Sequence, residues 1–240
     1  MNQPNKIQSK LWYEASYSHS GFGAQRRFPN EELCRFMGRH YFSFPVEKRG
    51  DIRILETGCG SGANLWMIAR EGFEAHGIDL SEVAIRLCAE MHRHYQTKAT
   101  LAAGDMTACP YPNGHFDAIV DVFSSYCLDQ AGFAAFLTEV HRLLKPGGRF
   151  FIYTPSKASD AFLNHAPANL IDPSTLDGIH RPDSPFSGNH YPFRFTTNDE
   201  MTAALAAHGF QTTSSETTGR TYNSGREYFE FVVVAAQGSE

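Results

Sequence analysis

The segment from Ile54 to Leu65, ILETGCGSGANL, constrains the fold of this chain more than any other. A short apolar run reaches an acid, Glu56, and three glycines follow within the five residues from 58 to 62. A buried strand that ends in a glycine-rich turn and leads into a helix typically begins an open, parallel α/β sheet. Glycine at these positions lets a ligand approach the backbone, because a side chain would collide with it.

Strand-like and helix-like segments then alternate along the chain, which is typical of a mostly parallel, doubly wound sheet. Strands are predicted at 52–57, 74–79, 99–105, 116–124 and 149–154, and helices at 62–72, 81–95 and 130–148. A helix at 197–208 and two closely spaced strands, at 210–216 and 227–236, follow near the C-terminus. Because these last strands are joined by a short polar turn, we expect an antiparallel hairpin at the edge of the sheet.

Two segments lie outside this alternation. Residues 1–45 contain a predicted helix at 30–43, with Asn30 as its cap, and we interpret them as an N-terminal helical cover or lid. Residues 155–195 are rich in Pro, Asn, Asp, His and Gly and show no clear period. A loop of this length within a domain is usually functional, so we interpret it as an insertion into the domain formed by residues 46–240.

Composition excludes several classes of protein. No apolar run of about 18 residues occurs, and the first 20 residues lack the apolar core of a signal peptide, so we expect a cytoplasmic chain without a membrane partner. The five cysteines form no CxxC pair, which argues against disulfides and a metal site. The net charge of −5 argues against a DNA partner and makes RNA an unexpected one. Whether the chain is a monomer or a homodimer stays open.

Two ligands fit the glycine-rich turn, a dinucleotide or S-adenosylmethionine (SAM). Gly58, Gly60 and Ala63, with the acid Asp79 farther on, satisfy the dinucleotide pattern. However, Glu56 would repel a pyrophosphate and attract an ammonium or sulfonium. The predicted C-terminal hairpin also replaces the second nucleotide-binding half that a dinucleotide fold would have. Both observations favour SAM.

Five segments in this order and spacing resemble class I SAM-dependent methyltransferases: LETGCGSG, GIDLS, AGDM, FDAIVDVFSSYCLD and LLKPGGRFFIYTPS. The resemblance covers residues 52–155 well and the C-terminal helix and hairpin in outline. It implies an α/β, Rossmann-like fold, with a doubly wound, mostly parallel seven-stranded sheet and an antiparallel C-terminal hairpin. It also implies an enzyme that binds SAM and releases S-adenosylhomocysteine (SAH).

The resemblance further implies which residues bind SAM. Glu56 would lie near the amino-acid end of SAM, Asp79 would accept hydrogen bonds from the ribose, and Asp105 would bind the adenine amino group. Leu80 and Met106 would flank the adenine, and Asp121 to Ser124 would face the methionine part and the methyl group. The remaining positions implied in the glycine-rich turn and the helix after it are Gly58, Cys59, Gly60 and Asn64.

Two segments hold candidate acceptor residues. The segment 17–32 contributes Tyr17, His19, Arg26 and Arg27, and the inserted loop contributes His190, Tyr191 and Arg194. Arginine matches the geometry of carboxylate and phosphate groups, so we predict a small anionic or polar acceptor (a carboxylate, phosphate, phosphonate or acidic sugar) held by Arg26, Arg27 and Arg194. If the acceptor must lose a proton, His190 or Tyr191 is the predicted base.

Three alternatives remain at this stage: an RNA-modifying methyltransferase, a NAD-dependent oxidoreductase and a SAM-binding protein without turnover. The oxidoreductase reading needs a hydride-transfer partner such as a Tyr-x-x-x-Lys pair, which we do not find. The reading without turnover stays open, because SAM itself carries the reactive group.

Overall fold

The computed structural model describes residues 3–239, with side chains described from Ile7 onward. The N-terminal part consists of three helices, with a 3-10 turn at Gly21–Ala24 between the first two: α1 (Gln3–Ser20), α2 (Glu31–His40) and α3 (Val46–Arg49). The alternating part follows as β1 (Arg53–Thr57), α4 (Leu65–Arg70), β2 (Glu74–Asp79), α5 (Glu82–His94), β3 (Thr100–Ala103), β4 (Phe116–Val122), α6 (Gln130–Leu143) and β5 (Leu144–Pro155).

An insertion and a C-terminal unit complete the fold. The insertion contains α7 (Asp160–Leu163), β6 (Leu170–Asp172), β7 (Thr175–Leu176) and β8 (Phe193–Arg194). The C-terminal unit contains α8 (Asn198–Ala207), β9 (Phe210–Tyr222) and β10 (Glu227–Gly238). The main sheet has seven strands in the order β3-β2-β1-β4-β5-β10-β9, and β10 pairs antiparallel with both β5 and β9. The predicted fold class and its antiparallel hairpin are therefore confirmed.

Side chains cap the main helices at positions that the sequence indicates. Asn30 Oδ1 accepts hydrogen bonds from the backbone N–H groups of Glu32 and Leu33, at 2.9 and 3.1 Å, and so begins α2. Ser81 Oγ accepts from the N–H of Ala84 at 3.1 Å and begins α5. Such caps satisfy N–H groups that have no partner within the helix.

Helices cover both faces of the sheet and bury two apolar layers. On one face, Leu33, Phe36 and Met37 of α2 pack with Phe151 of β5. On the other face, an apolar stripe on α6 packs against β1, β4 and β5; its fully buried members include Phe136, Leu137 and Val140. The inner strands β1, β2 and β4 are buried on both sides, as expected for parallel strands between helices, whereas the edge strands β3 and β9 are largely exposed.

The sheet order reverses between β1 and β4, which are parallel neighbours with Thr57 opposite Asp121. The chain leaves β1 toward one edge of the sheet and leaves β4 toward the other, so a crevice forms beyond their carboxyl ends. Open α/β sheets bind ligands at this position. The predicted cofactor residues that follow β1, β2, β3 and β4 are thus brought to one edge.

Two segments differ from the sequence-based expectation. The insertion has regular structure, since β6, β7 and β8 form a small antiparallel sheet; strands of two or three residues are too short to show a period. Helix α1 was not predicted, because its sequence is polar and carries only a narrow aromatic stripe. Within residues 3–239, none of the helices combines the length and the apolar character that a membrane span requires.

Candidate functional site

A cleft of about 680 Å³, its open mouth included, lies between α1 and the carboxyl ends of β1 to β4. We refer to it as the donor cleft. Six predicted cofactor residues line it: Gly58, Asp79, Leu80, Asp105, Met106 and Ser124. Residues of α1, among them Tyr13 and Tyr17, form the opposite wall. The structure therefore brings together side chains that lie up to 66 residues apart between positions 58 and 124.

The glycine-rich turn leaves no room for side chains. Gly58 has a φ of +60°, and a Cβ added to it would lie 2.2 Å from the Cβ of Ser124. Gly60 has a φ of +54°, and its added Cβ would lie 2.2 Å from Gln25 Oε1 and 2.7 Å from Tyr17 Oη. Both the backbone conformation and the close approach of α1 and the turn after it require glycine here.

The Asp79 carboxylate is fixed at the edge of the donor cleft by two backbone hydrogen bonds. Its Oδ2 accepts from the N–H of Gly60 at 2.8 Å, and its Oδ1 accepts from the N–H of Ser81 at 2.9 Å. Burial raises its pKa to about 6, so it is ionised at neutral pH. Asp105 is oriented similarly, since its Oδ1 accepts from Thr107 N–H and Oγ1 at 2.9 and 2.8 Å. Both arrangements leave a carboxylate where hydroxyl or amino donors of a nucleoside would lie.

Glu56 is a buried acid with one unsatisfied oxygen. Its Oε1 accepts a hydrogen bond from Asn64 Nδ2 at 2.6 Å. Asn64 Oδ1 in turn accepts from the backbone N–H of Asn30 at 2.8 Å. Its Oε2 is buried and has no hydrogen-bond partner among the described residues. Burial raises its pKa to about 8, although the charge of Arg26 opposes this rise. An unpaired buried carboxylate oxygen is costly, and an ammonium group would satisfy it.

Asp121 lies beneath the cleft and is absent from the residues that line it. Its carboxylate accepts from the N–H groups of Ser124 and Ser125, both at 3.2 Å, and contacts both hydroxyls. It therefore shapes the turn after β4. That turn places Phe123 at a φ of +59°, which is a strained conformation for a bulky residue. The structure thus brings Phe123 and Ser124 to the cleft and keeps Asp121 in a supporting position.

A second cavity, of about 1050 Å³ with its mouth, opens directly from the donor cleft and shares Tyr13, Gln25, Gly58 and Phe123 with it. We refer to it as the inner cavity. Its wall combines polar side chains with six aromatic ones: Trp12, Tyr13, Phe123, Tyr126, Phe186 and Tyr191. Three predicted cofactor residues, Glu56, Cys59 and Asn64, lie at its deep end. A molecule in this cavity lies beside whatever occupies the donor cleft.

Three tyrosine hydroxyls meet in the wall of the inner cavity. Tyr191 Oη lies 2.6 Å from Tyr126 Oη and 3.1 Å from Tyr13 Oη, and it accepts from Asn189 Nδ2 at 3.0 Å. The hydroxyls of Tyr13 and Tyr126 also contact each other. Burial raises the pKa of all three well above 10, so they stay protonated at neutral pH. The three contacts among these hydroxyls use their three protons, so this tyrosine cluster joins α1, the turn after β4 and the insertion, and it is unsuited to remove a proton.

The predicted acceptor residues do not meet at one place. Arg26 lines the inner cavity, and Tyr17 lies against the glycine-rich turn in the donor cleft. His19 and Arg27 are exposed, with the Arg27 guanidinium 5.7 Å from the Phe22 ring. His190 is also exposed and stacks loosely with His180, at a ring distance of 5.4 Å.

Arg194 lies away from both cavities. It is buried, and its guanidinium carbon lies 4.1 Å from the centre of the Phe133 ring. Burial lowers its pKa to about 10, and its Nε has no hydrogen-bond partner in the described part of the chain. The three arginines predicted as a clamp are thus separated, and only Arg26 faces the inner cavity. The physical reason is that β8 turns Arg194 toward α6, which the irregular sequence of the insertion does not reveal.

Sequence reasoning missed several residues of the inner cavity: Trp12, Tyr13, Tyr126, Phe186 and Asn189. One signal for them exists in the sequence, because Tyr13 and Tyr17 are four residues apart and share one face of a helix. The others follow β4 or lie in the insertion, where no period shows which side chains point inward. Within residues 3–239, no group of three or more His, Cys, Asp or Glu side chains is arranged to hold a metal ion.

Comparison with known proteins adds an independent observation. Residues 54–148 match the family described as methyltransferase domain. The chain is 35% identical over 133 residues to a fatty-acid O-methyltransferase of Mycolicibacterium smegmatis, which covers 53% of this chain and 46% of the relative. It is 34% identical over 123 residues to phthiotriol/phenolphthiotriol dimycocerosates methyltransferase 1 of Mycobacterium ulcerans, covering 50% of this chain and 43% of the relative.

The match identifies residues 54–148 as a methyltransferase domain. The structural comparison agrees on the fold: a Burkholderia thailandensis 1,6-didemethyltoxoflavin-N1-methyltransferase, solved with its substrate and SAH, superimposes with a TM-score of 0.63. That match covers 98% of this chain and 88% of the other, at 15% identity. The chain spans less than half the length of the two curated relatives.

The methyltransferase domain predicts a SAM site, and the described residues fit one. The oxygen of Glu56 without a partner suits the SAM ammonium group, and the turn at Gly58 and Gly60 leaves backbone space beside it. Asp79 and Asp105 are placed to accept hydrogen bonds from a nucleoside. The individual roles of these residues remain predictions.

Proposed function

We propose that this protein transfers the methyl group of SAM to an ionised oxygen of a small molecule, with a carboxylate as the favoured acceptor. The observation that carries this proposal is the chemistry of the inner cavity. Its described lining contains no histidine and no aspartate, and its one carboxylate is Glu56, which suits the SAM ammonium. An alcohol or amine acceptor has to lose a proton, whereas a carboxylate is already ionised at neutral pH.

A carboxylate acceptor makes a base unnecessary. SAM supplies the methyl group: the acceptor oxygen forms a bond to the methyl carbon, the carbon–sulfur bond breaks toward sulfur, and SAH and a methyl ester result. No proton moves in this step. The task of the protein is therefore to align the oxygen with the methyl group and to exclude water. The predicted bases have positions that agree with this, since His190 is exposed and the pKa of Tyr191 is raised well above 10.

Arg26 is the residue best placed to attract an anion. It lines the inner cavity, where the charge of Glu56 already acts on its guanidinium. A charge-assisted hydrogen bond to an anion is stronger than a neutral one, so Arg26 favours an anionic over a neutral acceptor.

The similarity to a fatty-acid O-methyltransferase supports a carboxylate acceptor with an apolar body. The aromatic rings in the wall of the inner cavity support the same chemistry, because an apolar body can pack against them while polar residues of the same wall face the ionised head. Phosphate, phosphonate and acidic-sugar acceptors are the other members of the anionic class that we predict from the sequence.

Two measurements test the proposal in sequence. First, SAH at about 100 times its Kd should raise the unfolding free energy by about 2.7 kcal/mol, whereas NAD⁺ should not, and Asp79→Ala should abolish the rise. The exposed Asp51→Ala serves as the control variant. A rise with NAD⁺ alone would overturn the donor assignment.

Second, the purified protein is supplied with SAM and a panel of carboxylic acids, phosphates, alcohols and a transfer RNA, and SAH release is measured. Turnover restricted to carboxylic acids supports the proposal. Turnover with alcohols or RNA alone would refute the carboxylate assignment, and SAH binding with no turnover on any member would favour a binding protein.

A further inference from the structure

A groove adjoins the inner cavity and shares Arg26, Phe123 and Phe186 with it. We refer to it as the outer groove. It runs over β5 and β10 toward the start of α2 and the turn between β9 and β10, and it measures about 900 Å³ including its open side. Because it begins at Phe123, it is continuous with the position where an acceptor would meet the methyl donor.

The floor and inner wall of the outer groove are aromatic. Tyr153 of β5 and Phe231 of β10 stack at a ring distance of 4.5 Å and an angle of 18°, and both are buried in the sheet. Phe186 of the insertion forms the wall, with its ring 4.8 Å from that of Phe123. These rings come from three separate elements. A polar, strongly hydrated ligand would lose water against them without gaining hydrogen bonds.

The mouth of the outer groove carries an exposed aromatic ring. Phe28 lies there with 67% of its surface exposed, opposite Tyr222. An isolated exposed ring needs no explanation, but this one continues an aromatic surface that leads to the inner cavity. The acid in the groove, Glu31, is neutralised by Arg220 at 3.0 Å, so no unpaired negative charge repels an anionic amphiphile.

We propose that the outer groove holds the apolar tail of an amphiphilic acceptor, whose ionised head lies in the inner cavity. The head meets Arg26, and the tail passes along the edges of the Phe123 and Phe186 rings, which contact each other, crosses the Tyr153–Phe231 pair and leaves past Phe28. This inference rests on the proposed function, since it takes the inner cavity as the site of the reacting oxygen. It adds that tail length sets acceptor preference, because Phe28 and Tyr222 contact the far end of a long tail.

The test uses straight-chain carboxylic acids of increasing length and two separate measurements. Binding of each acid to the SAH complex is measured by calorimetry, and methyl transfer is measured as SAH release with SAM. Each methylene that enters the groove should raise affinity and kcat/KM about fourfold, until the tail passes the mouth. Phe28→Ala and Tyr222→Ala should flatten this dependence, so that the longest acids lose more than the shortest. Phe44→Ala removes an exposed ring outside the groove and should leave the whole series unchanged.

The two measurements separate the inference from the proposed function. Length-dependent binding that both groove variants weaken, without methyl transfer, would uphold the groove and overturn the carboxylate reaction. Methyl transfer that is independent of tail length, or a length dependence that neither groove variant changes, would overturn the groove and uphold the reaction. Absence of both binding and transfer across the series would overturn both.

Discussion

Replacing Glu56 with glutamine tests the donor site at Oε2, the buried carboxylate oxygen that has no hydrogen-bond partner among the described residues. Glutamine has the same shape, and its carbonyl oxygen still accepts the hydrogen bond that Asn64 Nδ2 donates at 2.6 Å. The oxygen without a partner, Oε2, becomes an NH₂ group that cannot accept from an ammonium. A hydrogen bond to a charged group contributes about 1.5–3 kcal/mol, so the Kd for SAH should rise about 10- to 150-fold at pH 8.

The pH dependence of binding follows from the pKa of the same carboxyl. In the ligand-free protein burial raises the pKa of Glu56 to about 8, so the group is mostly protonated at pH 6. An ammonium ligand requires the ionised form of Glu56. Below the pKa, the ionised fraction of Glu56 falls about tenfold for each pH unit. We therefore expect the affinity of the wild-type protein for SAH to rise about tenfold per unit between pH 6 and 8. The affinity of Glu56→Gln should be flat over this range, apart from effects common to both proteins.

The unfolding free energy of the ligand-free protein should respond to pH in the opposite direction, because it should fall as the pH rises. The folded pKa of Glu56 is about 8 and the ordinary value is 4.5, so its contribution to stability is fully present below pH 4.5. That contribution is lost as the pH rises through 8, and the loss is on the order of 4 kcal/mol. Glu56→Gln lacks this loss. The difference in unfolding free energy between variant and wild type should therefore increase from pH 5 to pH 8 in favour of the variant.

Calorimetric titration with SAH at pH 6, 7 and 8 and urea unfolding at the same pH values provide both readouts. Glu47→Gln, which changes an exposed acid, is the matched control and should behave as wild type. Asp79 and Asp121, whose pKa values burial raises to about 6, titrate in all three proteins, and their charges are among the causes that raise the pKa of Glu56. An unchanged affinity of Glu56→Gln at pH 8, or a wild-type affinity that is flat from pH 6 to 8, would refute the reasoning.

Three further predictions concern the turn, the arginines and the tyrosine cluster. Gly114→Ala, at a φ of +62° with no atom within 4 Å, should cost about 1 kcal/mol in urea unfolding, whereas Gly58→Ala should cost about 1–3 kcal/mol more, because its Cβ also clashes. Equal costs would show that the turn is not crowded. Arg26→Met should raise the KM of an anionic acceptor at least about tenfold, while Arg194→Met leaves it unchanged in the same SAH-release assay; a similar rise in both variants would restore the predicted clamp, and no rise with Arg26→Met would refute its role. Tyr191→Phe should lower the unfolding free energy by about 1–2 kcal/mol and reduce kcat/KM without altering the pH profile. Loss of a basic limb in that profile would instead identify Tyr191 as a base.

The donor side of the protein could be predicted largely from local sequence. The glycine-rich turn has to follow a buried strand, and Asp79 and Asp105 come directly after the next two strands. Because parallel strands present their carboxyl ends at one edge, residues at these positions meet without any knowledge of long-range contacts. The buried state of Glu56 also follows from its place in a strand that is covered on both faces, but its unpaired oxygen does not.

The acceptor side depended on tertiary structure. Tyr13, Tyr126 and Tyr191 come from α1, the turn after β4 and the insertion, and only the packing of these three elements brings their hydroxyls together. The sequence shows that arginines are present near the predicted cover but not where they point. Arg26 turns into the inner cavity, whereas Arg194 turns away and packs on Phe133. The physical reason is that strand-end positions are set by the period of the backbone, while side chains on loops and short strands are directed by the neighbours that fold against them.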